Sequence, residues 1–254
     1  MQKVTLRRPA QEVIEAYFSL PLLNIRTPYF NNRIFRARAG LPVQGGKGTP
    51  HEIADEAIEY ATREHCSLLE LSPEDRRAFL IAHNLGVDCS GFVFHVLNAE
   101  HDNKLLSLLS SKHKNWLARL RAWLRPVQNI GVKEFTHKDN SAEVTLADVR
   151  VGDFFSFINQ PYPLYTSDHV ILFESVEYGN TAHTIHYVHS IKRITHTNED
   201  DGIARGSITI TDTQKPLEEQ DWHEGTLQGF DTLFPFGRKA TYTGIRRLRA
   251  PTGL

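Results

Sequence analysis

The sequence predicts an α+β fold, in which helices come first and the strands of an antiparallel sheet follow. Helix start signals and apolar residues at helical spacing lie before residue 100, whereas short apolar runs typical of strands begin after Val144. Helices and strands segregated along a chain in this way are typical of α+β domains. The 254 residues are enough for one large domain with a sizeable core.

The composition excludes several classes of protein. The chain has 29 basic and 30 acidic residues and a formal charge of −1, which argues against binding to nucleic acid. No run of about 18 apolar residues occurs, so we expect no transmembrane segment. Glu12 and Glu15 interrupt the N-terminal apolar stretch and no cleavage site follows, so we expect no signal peptide. We therefore expect a cytoplasmic protein or one exported by a non-classical route.

Local signals place the helices. Residues 11–20 have the pattern of a short helix, and Thr49–Glu52 forms a capping box that predicts a helix to about Cys66. Ser72–Asp75 is a second start signal, for a helix that ends near Gly86.

The run Gly45–Gly48 contains Gly-Gly-Lys-Gly but does not fit a phosphate-binding loop. Leu41 stands where that motif needs its first glycine, and Gly48 follows the lysine in place of Ser or Thr. We interpret this run as a flexible loop that ends an N-terminal extension, residues 1–48.

A basic helical insertion is predicted at about 101–143. Its tryptophans and leucines form one stripe between Trp116 and Val127, with basic residues off the stripe. Such a stripe either packs into the core or binds an anionic surface, in this chain through Trp116, Arg119 and Trp123.

Runs of β-branched and aromatic residues predict the strands, at 154–158, 169–173, 184–189, 207–211 and 241–248. If the second and third pair as a hairpin across 178–180, His169 and His189 both lie at its open end and face the same side.

Cys89 is the candidate nucleophile. Asp88 suits the N-cap position, which places Cys89 in the first turn of a helix. There the helix dipole lowers the pKa of a thiol, and free N–H groups can hold an oxyanion. A buried structural cysteine fits the same position equally well. A nucleophilic thiol needs a base and a group that orients it, for which His169 and His189 are the candidates.

Four segments together resemble the NlpC/P60 family of papain-like cysteine peptidases. They are Asp88–Val93, Gly152–Phe157, Asp168–Phe173 and Tyr187–Ser190, in the family's order. The resemblance covers about residues 80–190 and implies a papain-like core within a catalytic domain of residues 49–254.

The resemblance also implies a function. Cys89 would be the nucleophile, His169 the general base and then acid, and His189 the orienting residue. Asp88 and Ser90 would contact the substrate amine. The expected reaction is hydrolysis of amide bonds in peptidoglycan-derived peptides, with no cofactor and no metal.

The chain departs from the family in three places. The family commonly has a Tyr and a Gly pair just upstream of the Cys motif, where this chain has a predicted helix at Asp75–Leu85, so the bond cleaved stays open. The helical insertion lengthens the interval between Cys89 and His169. His186 is an alternative third residue, although alternation turns it away from His189.

Three rival functions remain at this stage. His183, His186 and His189 have metal-ligand spacing on a helix but not on the strand predicted here. A catalytically silent module would bind cell-wall polymer or a membrane surface, and an acyltransferase would use the same thiol. For a catalytic Cys89 we expect alkylation well below the usual thiol pKa of about 8.5.

Overall fold

The computed structural model confirms a mixed helix and sheet architecture with antiparallel strands. It describes residues 2–32, 42–109, 127–161, 166–179, 183–193, 201–225, 227–228 and 239–249, except the side chains of 161, 166, 227 and 228. The predicted stripe between Trp116 and Arg125, including Arg119 and Trp123, lies outside these residues. None of the helices in the described ranges has the length and apolar character needed to cross a bilayer.

Six α-helices belong to the described part of the chain, and most lie in its first half. They are α1 Arg8–Phe18, α2 Pro50–Arg63, α3 Pro73–Ala82, α4 Cys89–Glu100, α5 Leu105–Leu108 and α6 Val132–Thr136. Short 3-10 helices occupy Val43–Gly45, Leu68–Glu70, Val127–Asn129, Leu146–Asp148 and Leu217–Glu219.

The predicted helix starts are confirmed. Thr49 Oγ1 accepts the N–H of Glu52, and the Glu52 carboxylate accepts the N–H of Thr49, which completes the capping box. Ser72 caps α3 in the same position. The helix that Thr49 begins ends at Arg63, three residues before Cys66.

In the described residues, nine strands form one sheet. They are β1 Gln2–Thr5, β2 Ser141–Glu143, β3 Phe154–Pro161, β4 Thr166–Tyr178, β5 His183–Ile191, β6 Gly202–Ile210, β7 Asp221–Glu224, β8 Leu227–Gln228 and β9 Tyr242–Leu248. Their order is β2-β9-β3-β4-β5-β6-β7-β8, with β1 paired to β4, and every pairing is antiparallel.

The predicted β4–β5 hairpin is present but contains a bulge. Its regular pairing runs from Tyr178 opposite His183, beside the turn, and the register shifts between Phe173 and Ser175. The strands reach closer to the turn than the apolar runs predicted. Several of the strand residues next to the turn are polar, so they gave no apolar signal.

The two faces of the sheet are buried in different ways. On one face α1, α2 and α4 cover residues such as Val170 and Leu172, and Tyr17 packs edge-on against Phe92 at 5.3 Å. On the other face, side chains from different strands of the same sheet pack against one another. The rings of Phe155 on β3 and Trp222 on β7 lie 6.2 Å apart although three strands separate them, so the sheet is curled.

The segment expected to be an N-terminal extension shares this core. Ala10 and Ile14 of α1, and Val43, are buried in the same cluster as α4. The proposed boundary at residue 48 therefore does not mark a break in packing.

Candidate functional site

Cys89 is the first residue of α4, as its sequence context predicts. Asp88 is the N-cap, and its Oδ1 accepts the N–H of Gly91 at 2.7 Å. This cap holds the sulfur beside the start of β4, where Cys89 Sγ lies 3.9 Å from the carbonyl oxygen of Asp168.

The thiol of Cys89 is buried and resists ionisation. Only 4% of the residue is exposed, and burial raises the pKa of the thiol to about 12, with a further rise from the Asp88 carboxylate. Lys47 and the N–H groups of Val170 and Ser90 lower it by less. Our expectation of a lowered pKa is therefore wrong. A helix terminus stabilises a charge by about 0.3–2 kcal/mol, whereas burial shifts a pKa by several units.

The structure brings the two candidate histidines together. His169 lies near the start of β4 and His189 near the end of β5, and His169 Nε2 is 3.0 Å from His189 Nδ1. Their rings meet edge to face, with centroids 5.2 Å apart. Burial holds the pKa of each ring well below its usual 6.5, so both are neutral near pH 7.

A buried carboxylate lies behind this pair. Glu224 on β7 places Oε2 3.3 Å from His189 Nε2, and the hydroxyl of Tyr187 donates to the same oxygen at 2.9 Å. The guanidinium of Arg193 forms an ion pair with Oε1. We call His169, His189 and Glu224 the histidine cluster. Sequence reasoning missed Glu224, whose segment Asp-Trp-His-Glu has no apolar run to mark it as a strand.

A second buried cluster adjoins the Cys motif. Lys47 Nζ is 2.8 Å from Asp88 Oδ1 and hydrogen bonds to Ser90 Oγ, and all three residues are at most 6% exposed. His95 Nε2 bonds to the carbonyl oxygen of Lys47 at 2.8 Å. We call Lys47, Asp88 and Ser90 the lysine cluster.

The lysine cluster corrects our expectation for Asp88 and Ser90. We expected both side chains to meet a substrate amine, but in the structure an ammonium group of the chain itself holds them. This partner was missed because Lys47 is 41 residues from Asp88 in sequence.

The run Gly45–Gly48 is a buried turn against the Cys motif. The carbonyl oxygen of Gly46 accepts the N–H of Asp88 at 2.9 Å, and Gly46 has a φ of +75°. A Cβ atom on Gly91 would lie 2.7 Å from that same oxygen, so this close approach requires glycine at 91. The interpretation of this run as a flexible loop was therefore wrong.

One hydrogen bond ties the end of β5 to the segment that precedes Cys89. Ser190 Oγ donates to the carbonyl oxygen of Val87 at 2.6 Å. With the contact between Cys89 and Asp168, it draws the sulfur to the end of the β4–β5 hairpin that carries both histidines, whose rings pack against Phe157 and Tyr187 on the other face of the sheet. In the described ranges, no hydrogen bond joins the sulfur itself to His169.

The other histidines of β5 face elsewhere. His186 Nε2 lies 3.0 Å from Glu177 Oε1, so it does not meet His169. Within the part of the chain that the structure describes, no three His, Cys, Asp or Glu side chains are grouped as metal ligands.

Comparison of the chain with protein-family models, with curated proteins and with solved structures gave no match.

Proposed function

We propose that the protein is a papain-like cysteine peptidase or amidase, with Cys89 as nucleophile, His169 as base and His189 as orienting residue. The observation that carries the proposal is that all three residues lie at the same end of the β4–β5 hairpin. The sulfur contacts Asp168, the neighbour of His169, and Ser190, the neighbour of His189, bonds to Val87. A thiol at a helix start and a bonded pair of imidazoles are the groups that thiol acyl chemistry needs.

The Gly45–Gly48 turn adds support for the resemblance to the NlpC/P60 family. The family's Gly pair lies just upstream of its Cys motif. Here the chain between Gly48 and Gly86 forms α2 and α3 and then returns, so that Gly46 still bonds to Asp88. A glycine pair thus stands beside the Cys motif in space although a helical segment separates them in sequence.

In the proposed reaction, the Cys89 thiol gives its proton to His169 Nδ1 as the sulfur bonds to the carbonyl carbon of the substrate amide. N–H groups in the first turn of α4 stabilise the oxyanion. His169 returns the proton to the leaving amine as the C–N bond breaks, and water then hydrolyses the thioester.

The resting state differs from a preformed thiolate–imidazolium pair. Because the pKa of the thiol is raised and that of His169 is lowered, thiol and imidazole are both neutral before substrate binds. Proton transfer therefore accompanies attack, and it requires that substrate binding bring the sulfur to the His169 ring, which in the resting structure stacks on Phe157. Hydrogen bonds between catalytic groups are often incomplete without substrate.

The substrate class we propose is a cell-wall peptide that contributes no amine to Asp88 and Ser90. Lys47 already supplies the positive charge at that position. A free N-terminus on the substrate is therefore not required, and acylated peptides are equally suitable.

The experiment is digestion of purified peptidoglycan fragments, with free and with acetylated N-termini, read by mass spectrometry. We expect products from the wild type and none from Cys89→Ala. Cys66→Ala is the matched control, since Cys66 is the other free cysteine and belongs to neither the lysine cluster nor the histidine cluster. Equal product from wild type and Cys89→Ala would refute the proposal.

A silent binding module is the second candidate. The buried sulfur and its lack of a hydrogen bond to His169 favour it. Binding of the fragments by wild type and Cys89→Ala alike, with no product from either, would support this candidate. An acyltransferase would instead give products joined to an added amine.

A further inference from the structure

The chain carries a buried acid that the proposed mechanism does not use. Glu224 is 3% exposed, and its two oxygens have different partners. Oε1 faces Arg193, whereas Oε2 faces Tyr187 and His189. Arg193 compensates the charge, since an isolated carboxylate is costly to bury.

Each neutral imidazole has one N–H and one lone pair, so a bonded pair of rings has two possible arrangements. In one, both rings have the proton on Nε2. In the other, both have it on Nδ1. A carboxylate only accepts hydrogen bonds, so the atom of His189 that faces Glu224 is the protonated one.

The 3.3 Å separation of His189 Nε2 from Glu224 Oε2 is long for a hydrogen bond, and its angle departs from the ideal. In the described part of the chain, however, this buried nitrogen has no other hydrogen-bond partner. Glu224 is thus the acceptor available to it.

We propose that Glu224 is a positioning residue that sets the tautomers of the histidine cluster. With Nε2 of His189 protonated, its Nδ1 accepts from Nε2 of His169, and Nδ1 of His169 carries a lone pair. This is the nitrogen that must take the proton of Cys89, so its use as a base rests on the proposed function. The tautomers themselves do not depend on that function. An acceptor behind a histidine commonly selects its tautomer in this way.

The isosteric variant Glu224→Gln tests the proposal. The guanidinium of Arg193 only donates, so the amide oxygen of Gln turns to Arg193 and its NH₂ group faces His189. That NH₂ donates to Nε2 of His189, which moves the proton to Nδ1. His169 then also carries its proton on Nδ1 and has no lone pair there.

The measurement is nitrogen-15 NMR of the imidazoles, with signals assigned by His169→Asn and His189→Asn. In the wild type we expect both rings protonated on Nε2, and in Glu224→Gln both on Nδ1. Tyr187→Phe is the control, because it keeps the carboxylate and so the wild-type tautomers. A wild type with His169 protonated on Nδ1 overturns the proposal, and this holds even if Glu224→Gln does not fold. Unchanged tautomers in Glu224→Gln overturn it as well.

Activity supplies a separate measurement. If the proposed function holds, kcat falls by at least about 100-fold in Glu224→Gln with KM little changed, because general base catalysis is lost. A tautomer change in a protein that cleaves nothing would support the role of Glu224 and refute the peptidase. A tautomer change with full kcat would overturn the link from Glu224 to Cys89.

Discussion

The lysine cluster adjoins Cys89 in the chain, whereas the histidine cluster lies on the other face of the sheet, and both bury a carboxylate beside a basic group. In the lysine cluster Asp88 Oδ1 accepts bonds from Lys47, Ser90 and Gly91. In the histidine cluster, His189 Nε2 and Glu224 Oε1 have no hydrogen bond of regular geometry to any described residue. Buried polar atoms are rarely left this way, and such exceptions are often functional.

From this difference we infer that the lysine cluster has a structural role and the histidine cluster a chemical one. The lysine cluster joins the Gly45–Gly48 turn to the N-cap of α4 through saturated contacts, so it holds the sulfur in place. The histidine cluster holds two neutral rings joined by one hydrogen bond, whose donor depends on their tautomers, so it is the cluster suited to proton transfer.

Loss of Lys47 tests the structural role and has the largest expected effect. Lys47→Met leaves the Asp88 carboxylate buried without its partner, which we expect to lower the free energy of unfolding by about 3–5 kcal/mol. Urea unfolding measures this change in the free energy of unfolding. The matched control is Lys3→Met, which removes an exposed pair with Glu177 and should cost about 0–1 kcal/mol.

The double variant Lys47→Met/Asp88→Asn sharpens this test. Asn remains a good N-cap but carries no charge, so most of the lost stability should return. If Lys47→Met costs no more than Lys3→Met, the lysine cluster does not hold the helix start.

Lowering the pH should lower the free energy of unfolding through the two rings of the histidine cluster. The pKa values of His169 and His189 are lowered by burial, so the unfolded chain takes up protons near pH 6.5 before the folded chain does. Their contribution to stability is complete above pH 6.5 and is lost as the pH falls below it, by up to about 1.4 kcal/mol per pH unit for each ring.

Urea unfolding between pH 7 and pH 5 measures this slope. His169→Gln/His189→Gln should flatten it, whereas His51→Gln, at an exposed position, should leave it unchanged. Equal slopes in all three proteins would mean that the two rings are not held neutral.

The smallest expected effect concerns the thiol of Cys89. Because burial raises the pKa of Cys89 to about 12, iodoacetamide should label it at least about tenfold more slowly than half-buried Cys66 at pH 8.5. Mass spectrometry of the peptides gives both rates. Faster labelling of Cys89 than of Cys66 would restore the lowered pKa that its position in the helix suggests.

The same raised pKa has a consequence for stability. The unfolded chain loses its thiol proton near pH 8.5, before the folded chain does. The contribution of Cys89 is therefore complete below that pH and is lost as the pH rises towards 12.

The helix starts could be predicted from sequence because their contacts are local. The caps at Thr49, Ser72 and Asp88 each involve residues at most three apart. The meeting of His169 and His189 was also predictable, since strand alternation and a short turn define a hairpin.

Contacts between distant segments were not predictable. Lys47 pairs with Asp88 across 41 residues, and Glu224 enters from a four-residue strand whose buried positions are a tryptophan and an acid. The pKa of Cys89 was mispredicted for a related reason. Sequence shows the helix dipole, but the depth of burial depends on what the whole chain packs over the sulfur.

The bulge in β4 decides which side of the curled sheet carries the imidazole of His169. Phe173 and Val176 lie on the same face although they are three residues apart, because the register shift between them reverses the alternation. Regular pairing of every residue from the turn, Glu174 included, would instead rotate His169 to the helix-covered face, away from His189. The contact between the two rings thus depends on the bulge that leaves Glu174 out of the alternation.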